Sequence, residues 1–418
     1  MTILWITNIL FPEAVKLLTG SGELKSSGGW MLGAANALLQ RNDVKLVVAC
    51  VSSLVTKLTK LEGENIIYYI LPLGKGNLTF NFDYIPYWKQ VQQEIQPNVT
   101  HIHGTEFSHG HAYLKACGSD SVVVSIQGLV SGIFPFYLSG LSTKDILFNL
   151  TIRDLLRGTL FQQKHQFRER SFFEIETLKM AQHIIGRTSW DKARVWAINP
   201  DAVYHFCNET LRSEFYDGSV WNFSKCTKHS IFLSQAGYPI KGLHQVLKAM
   251  PLILRSFPDT ILRIAGDDIT ISNTLSSKFR LSGYGKYILS LIKKYSLQGK
   301  IFFTGNLSGE EMKREYLNAN VFVCPSAIEN SPNSLGEAQI LGVPCVASYV
   351  GGIFDMMRGN EENLYRFEEV DMLAEKVCKV FARGANQVDM TKEALKRHDS
   401  ENNCKQLYHI YKSIQLLS

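Results

Sequence analysis

No run in this chain reaches the roughly 18 apolar residues that a membrane-crossing helix needs. The opening residues, Met1-Thr2-Ile3-Leu4-Trp5-Ile6, carry no basic lead-in and do not read as a signal peptide. Together these absences predict a cytoplasmic protein, at most peripheral on the inner face of the plasma membrane. Cysteine is sparse: eight residues with no Cys-x-x-Cys pair, which argues against a zinc ribbon or a redox motif. Cys324 and Cys345 lie inside apolar runs, as buried thiols of a reducing compartment do. Low-complexity tracts and strict repeats are absent. Charge of one sign is scarce as well. A net charge of +6 is too small to indicate nucleic acid as a partner, but it suits contact with an anionic membrane surface.

What is present is the composition of a folded globular protein, with 45% hydrophobic and 20% charged residues over 418 positions. That length suggests two or three domains, because single cores rarely grow past about 250 residues. Short β-branched runs recur at helix-length intervals. The first ladder comprises Ile3–Ile6, Lys45–Val51, Ile66–Ile70, Thr100–His103, Val122–Ile126, His183–Gly186 and Val203–Phe206. The second comprises Ile231–Ser234, Ile261–Ala265, Ile301–Thr304, Val321–Cys324, Val343–Ser348 and Leu364–Phe367. Runs apolar on both faces and spaced for crossover helices indicate buried parallel sheets. The Gly-, Ser-, Asn- and Lys-rich stretch Phe215–Ser230 separates the ladders and reads as a hinge. Two doubly wound α/β domains are predicted, over residues 1–215 and 226–395. Residues 396–418 follow, and Ser400–Leu417 has helical periodicity that suits either a cap on the second domain or a crossing back to the first.

The stretch from Pro325 to Ala338 is the most informative. It follows a predicted strand and runs into a helix ending at Gly342. Pro332 suits a first helical turn, and Asn333 and Ser334 are capping types. Free amides near Ser334 and Leu335 would point out of the helix start, where the dipole favours an anion such as a diphosphate. Glu329 lies on the preceding loop and Glu337 about one turn into the helix. One carboxylate can accept hydroxyls from a sugar and the other from a ribose. The bland alternative is a solvated helix start carrying two surface glutamates.

Here the sequence resembles the retaining glycosyltransferases of family 4 (glycosyl transferases group 1), which have the GT-B fold. Glu329 and Glu337 match that family's pair of glutamates separated by seven residues. The likeness extends through Val343–Ser348 with Gly351-Gly352, through Gly237-Tyr238-Pro239-Ile240-Lys241-Gly242, and through Ile264–Asp267 and Phe303–Gly305. It covers most of the second half in the expected order. The resemblance implies two Rossmann-like domains facing across a cleft, an acceptor-binding N-terminal domain and a donor-binding C-terminal one. It implies transfer of a hexosyl or N-acetylhexosaminyl group from a nucleoside-diphosphate sugar, with retention, to a glycan or lipid-linked acceptor in cell-surface polysaccharide synthesis. Lys241, Glu329 and Gln127 are then the catalytic candidates. Gly29, Lys241, Gly305, Glu329, Asn333, Ser334, Leu335 and Glu337 are the donor-binding candidates, and His103 and Gln127 the acceptor-binding ones.

Two departures stand out. The family's arginine after the first glycine is Tyr238 here, and Arg187, at a first-domain strand end, is the candidate replacement cation. Gln127, in Ser125-Ile126-Gln127-Gly128, lies near the position where similar enzymes carry histidine. Glutamine cannot shuttle a proton at neutral pH, but it can orient a hydroxyl. Gly28-Gly29, before the likely helix Trp30–Leu39, looks like the family's glycine loop, although such a pair alone is usually only a turn.

His101-x-His103 and His109-x-His111 have a spacing that metal sites use, yet no cysteine completes a ligand set. There is also no Asp-x-Asp between apolar residues to hold a divalent ion on a diphosphate. Neither metal nor cofactor is therefore expected, and the nucleotide sugar enters as a substrate. Finally, Ser131–Arg170 mixes Phe134, Phe136, Tyr137, Leu138, Ile146, Leu147 and Phe148 with Arg153, Arg157, Lys164, Arg168 and Arg170. It suits either a membrane surface presenting a lipid-linked acceptor or a helical excursion packed on the first domain. Rival functions are a nucleotide-sugar epimerase or phosphorylase-like enzyme of the same architecture, and a non-catalytic sugar-nucleotide-binding protein.

Overall fold

The computed structural model describes residues 1–20, 29–73, 83–271 and 280–417. The chain forms two compact units. The first comprises Met1–Phe134, Gln166–Leu211 and His398–Ser418, and the second Pro135–His165 and Arg212–Arg397.

In the first unit eight strands form one sheet. They are β1 (Thr2–Thr7), β2 (Lys45–Ser52), β3 (Thr59–Glu62), β4 (Ile66–Pro72), β5 (Val99–His103), β6 (Val122–Ser125), β7 (His183–Gly186) and β8 (Val203–Phe206). Their order is β3-β4-β2-β1-β5-β6-β7-β8. Every pairing is parallel except β3 with β4. Alternate residues serve two cores: Ile3, Trp5, Leu46 and Val48 enter one, Leu4, Ile6, Val47 and Ala49 the other. Burial on both faces is why these strands read as unbroken apolar runs. Strand order runs outward in both directions from β1 and β5, so the sheet has a switch point between them, where the strand ends open a crevice.

β3 is the strand that the apolar runs do not predict. Its residues Thr-Lys-Leu-Glu alternate between half-buried and exposed, as suits an antiparallel edge. The C-terminal helix Ser400–Leu417 lies in the first unit. Its Tyr411 hydroxyl accepts from Trp5 Nε1 at 2.9 Å and bonds His101 Nδ1 at 2.6 Å.

The second unit carries β9 (Ser230–Leu233), β10 (Ile261–Ile264), β11 (Ile301–Phe303), β12 (Val321–Cys324), β13 (Cys345–Ser348) and β14 (Leu364–Tyr365). All pairings are parallel in the order β11-β10-β9-β12-β13-β14, with the switch point between β9 and β12. The units divide at Leu211/Arg212 rather than at 215, and residues 135–165 belong to the second unit instead of packing as an excursion on the first. The reason is local. His244 Nε2 bonds the Ser139 carbonyl at 2.9 Å, and the Gly283 amide donates to Asp154 at 3.1 Å. Among the described residues no helix is long and apolar enough to cross a membrane.

Candidate active site

Three loops at the C-terminal ends of β9, β12 and β13 meet in the second unit, and two glycines decide how closely. Gly242 has φ +73°, and a Cβ there would stand 1.7 Å from the Pro325 carbonyl oxygen. Gly351 has φ +51°, and its Cβ would stand 1.9 Å from the Glu329 carbonyl oxygen. Only glycine fits such approaches without strain. Hydrogen bonds close both seams: the Ala327 amide donates to the Ile240 carbonyl at 2.7 Å, and Gly352 to the Glu329 carbonyl at 3.0 Å.

The backbone clasp presents Glu329 to Lys241. Lys241 Nζ donates to Glu329 Oε1 at 2.6 Å, and the Ser326 hydroxyl donates to the same oxygen at 2.7 Å. The two side chains are 20% and 15% exposed, so the pair is largely screened from water yet still reachable. Burial alone would lower the Lys241 pKa, but the Glu329 carboxylate outweighs it and holds the amine above its ordinary value. Lys241 is thus a fixed cation. The Tyr238 ring that stands in the arginine position has its centroid 5.9 Å from the ammonium.

Past Glu329 the helix Asn333–Ile340 begins, with Pro332 at its N-cap rather than in its first turn and no side-chain cap. The Leu335 amide donates to the Pro332 carbonyl at 3.0 Å, and the Leu335 side chain is buried in the core. That removes Leu335 from the set of free donors and leaves the amides of Asn333 and Ser334 as helix-start donors without an intrahelical acceptor. Glu337 is 4% exposed and forks with Arg212, Nε at 2.8 Å and Nη2 at 2.9 Å. Burial pushes its carboxyl up, with the Arg212 guanidinium opposing. Tyr316 Oη adds a longer contact at 3.4 Å. Oε1, which takes only the Arg212 Nε bond, retains a lone pair, so a ribose hydroxyl would add to the fork rather than replace it. Arg212 is a residue that sequence reasoning did not find, because its partner lies 125 positions away.

Gly305, at the end of β11, has φ +76° and exchanges two backbone bonds with Gly266, at 2.9 and 3.1 Å. Its amide is spent, which removes it as a direct phosphate donor.

The remaining candidates lie in the first unit. Gly29 is the first residue of the helix Gly29–Leu39, while Gly28 lies outside the described residues. A cavity of about 50 Å³ is lined by His101, His103, Ser125, Gln127, Arg187 and Glu209, with Asn403 and Leu407 of the C-terminal helix. His103 stacks on His101 with centroids 3.7 Å apart, and burial pushes its imidazole down to about 3. It is therefore neutral at pH 7. Tyr411 Oη links the two rings, accepting from Trp5 Nε1 and bonding His101 Nδ1. The Arg187 guanidinium is already committed: Nη2 donates to the carbonyls of Ile126 at 2.7 Å and Gln127 at 3.1 Å, and Nη1 pairs with Glu209. That geometry corrects its assignment as the substitute phosphate cation. Arg187 instead fixes the Gln127 backbone.

Two carboxylates complete this frame, Glu174 buried and Glu106 half-buried, and no sequence motif marks either. Glu174 accepts from Thr105 Oγ1 (2.6 Å), Val130 N (2.9 Å), Ser131 N (2.7 Å) and Ser131 Oγ (2.6 Å). Glu106 accepts from the Gly128 amide at 2.9 Å and from Asn8 at 3.2 Å. Between them they hold the loop that follows Gln127.

Residues 222–397 match the family model described as Glycosyl transferases group 1. The chain is 24% identical over 193 residues to the uncharacterized glycosyltransferase MJ1607 of Methanocaldococcus jannaschii, covering 44% of this chain and 45% of that protein. It is 36% identical over 121 residues to sulfoquinovosyl transferase SQD2 of Arabidopsis thaliana, covering 29% and 20%. The chain thus spans less than half the length of these curated relatives. The fold matches sucrose-phosphate synthase from Thermosynechococcus elongatus with a TM-score of 0.70 at 16% identity over 100% of both chains. That likeness is one of architecture, two parallel-sheet Rossmann-like domains of the GT-B type.

Proposed function

Through residues 222–397 the chain belongs to the glycosyl transferases group 1 family, and on that premise we propose that it is a retaining glycosyltransferase that takes a hexosyl or N-acetylhexosaminyl group from a nucleoside-diphosphate sugar. One observation carries the reading: the Lys241–Glu329 pair, held at 2.6 Å where three loops are clasped by Gly242 and Gly351. An ordinary surface ion pair has no use for two glycine contacts that set its position.

In this reading the diphosphate lies against Lys241 and the helix-start amides of Asn333 and Ser334. As the bond from the anomeric carbon to the phosphate oxygen breaks, negative charge grows on that oxygen. Fixed donors aimed at it supply the main catalytic term. The acceptor hydroxyl attacks the anomeric carbon from the face the phosphate leaves, and its proton passes to the departing phosphate oxygen. No enzyme nucleophile is required. Glu329 accepts a hydroxyl of the transferred sugar, and Glu337 one of the ribose. In the first unit the pocket of Gln127 and His103 offers neutral hydrogen-bonding groups to a glycan or lipid-linked acceptor, of the kind used in cell-surface polysaccharide synthesis.

The test is a thermal-shift panel of nucleotide sugars, followed by incubation of the best binder with and without acceptors and NMR assignment of the product anomer. A retained anomer in a new glycosidic bond supports the proposal. An epimerised sugar nucleotide with no acceptor required points to an epimerase. Binding without turnover under any acceptor points to a sugar-nucleotide-binding protein.

A further inference from the structure

The helices Thr143–Phe148 and Ile152–Arg157 of the second unit are built with one face inward and one outward. The inward face is accounted for. Ile146 is in the hydrophobic core, and Asp154 closes a capping box with Thr151 and accepts from the Gly283 amide at 3.1 Å. Lys286 Nζ donates to the carbonyls of Phe148 at 3.1 Å and Leu150 at 3.3 Å, which ties down the link between the helices.

The outward face has no such account. Leu147 and Phe148 are 54% and 79% exposed, and Ile152, Leu155 and Leu156 are 56%, 73% and 77% exposed. The exposed apolar residues share a side with neighbours three and four positions away: Leu147 and Phe148 with the stem of Lys144, and Ile152 with Leu155 and Leu156. Five large apolar side chains within ten positions, all turned from the core, do nothing for the fold and cost solubility.

The charge around them is net positive. Residues 143–165 carry four cations, Lys144, Arg153, Arg157 and Lys164, against two acids, Asp145 and Asp154, which sit in capping boxes, with Arg153 3.9 Å from Asp154. Leucine and phenylalanine ringed by lysine and arginine match the two layers of a lipid leaflet, with acyl chains beneath an anionic headgroup plane. We infer that residues 143–157 of the second unit are a docking surface for an anionic membrane, inserted through Leu147, Phe148, Ile152, Leu155 and Leu156. Burying the apolar tips gives the affinity, and the bases select the charge of the surface. This inference rests on exposure and charge, not on the transferase reading, and the two can fail separately.

Flotation of the full chain with vesicles tests it. Vesicles of phosphatidylcholine with about one-third phosphatidylglycerol should carry the protein up the gradient, and pure phosphatidylcholine should carry much less. The variant Leu155→Ser/Leu156→Ser should lose about tenfold or more in partitioning while its circular dichroism is unchanged, since neither side chain supports the core. Lys144→Glu/Arg157→Glu should lose about thirtyfold or more on anionic vesicles, at about 1 kcal/mol per base near the surface. Lys241→Ala should float like the parent even if transfer is abolished. Failure of the parent to float on anionic vesicles would overturn the inference, and so would flotation indifferent to both surface variants. A dimer in sedimentation velocity that Leu155→Ser/Leu156→Ser dissolves, with no vesicle binding, would assign the face to a second copy instead.

Discussion

Arg212 forks onto both carboxylate oxygens of Glu337, at 2.8 and 2.9 Å, in a part of the second unit where Glu337 is only 4% exposed. The glutamate that the spacing assigned to a ribose is therefore also one half of a buried ion pair. Both roles are compatible only because the fork leaves lone pairs on the carboxylate. They have different experimental signatures.

Arg212→Met should destabilise the chain by about 3–5 kcal/mol, because it strands a buried carboxylate. Arg212→Met/Glu337→Gln should recover much of that loss, since no charge is left unpaired. Urea titration of the three proteins decides it, and an Arg212→Met protein as stable as the parent would mean that the pair is not formed in solution.

Glu337→Ala and Glu329→Ala should fail in different assays. In the proposed reading the first removes a contact to the nucleoside, and it should weaken nucleoside diphosphate binding by about ten- to hundredfold, the worth of a hydrogen bond to a charged group. The second should leave nucleoside diphosphate affinity nearly intact while transfer falls, because the proposed partner of Glu329 is on the sugar. Calorimetry beside a transfer assay separates them. Parent-like behaviour of both would remove the glutamates from the site.

For Lys241→Ala the expected result is a loss of turnover of about 10²–10³-fold with a smaller effect on donor binding. The same change leaves Glu329 without its 2.6 Å partner, so Lys241→Ala and Glu329→Ala should be strongly non-additive in turnover. Additive losses would show that the two side chains act independently.

Gly242→Ala should be far more damaging than Gly305→Ala. Both residues have φ above +70°, a conformation that costs a non-glycine residue about 1–2 kcal/mol. At Gly305 nothing lies within 4 Å of the added methyl, whereas at Gly242 it meets a carbonyl oxygen at 1.7 Å. The Gly242 variant should lose activity through displacement of the 325–329 loop, and the Gly305 variant should only melt somewhat earlier. Equal melting points and activities would contradict the close seating of Gly242 on Pro325.

Acidification should destabilise the fold before the carboxylates titrate. Burial pushes His103 down to about 3 and His109 and His244 to about 4, from an ordinary 6.5. Below 6.5 the unfolded chain binds protons that the folded one refuses, so stability falls with falling pH until the folded values are reached. The slope approaches about 1.4 kcal/mol per pH unit for each such imidazole. Thermal melts at pH 7 and pH 5 test this, with an unchanged midpoint as the contrary result.

The sequence by itself determined the two sheets. Parallel strands buried on both faces must be continuous apolar runs, and the runs along the chain correspond to every strand except β3, whose polar edge breaks the pattern. The sequence also placed Lys241 and Glu329 in loops that follow β9 and β12, because a strand end and a helix start fix where a side chain can stand. Tertiary structure decided what those groups touch. Periodicity shows that the helix Ser400–Leu417 has a buried face, but not that the face meets Trp5 and His101. Nor does it show that residues 135–165 join the second unit. Arg187, Arg212, Glu106 and Glu174 were opaque for the same reason. Each is a charge whose meaning depends on a partner brought close by the fold, and between 4 Å and solvent separation a charged pair passes from dominant to negligible.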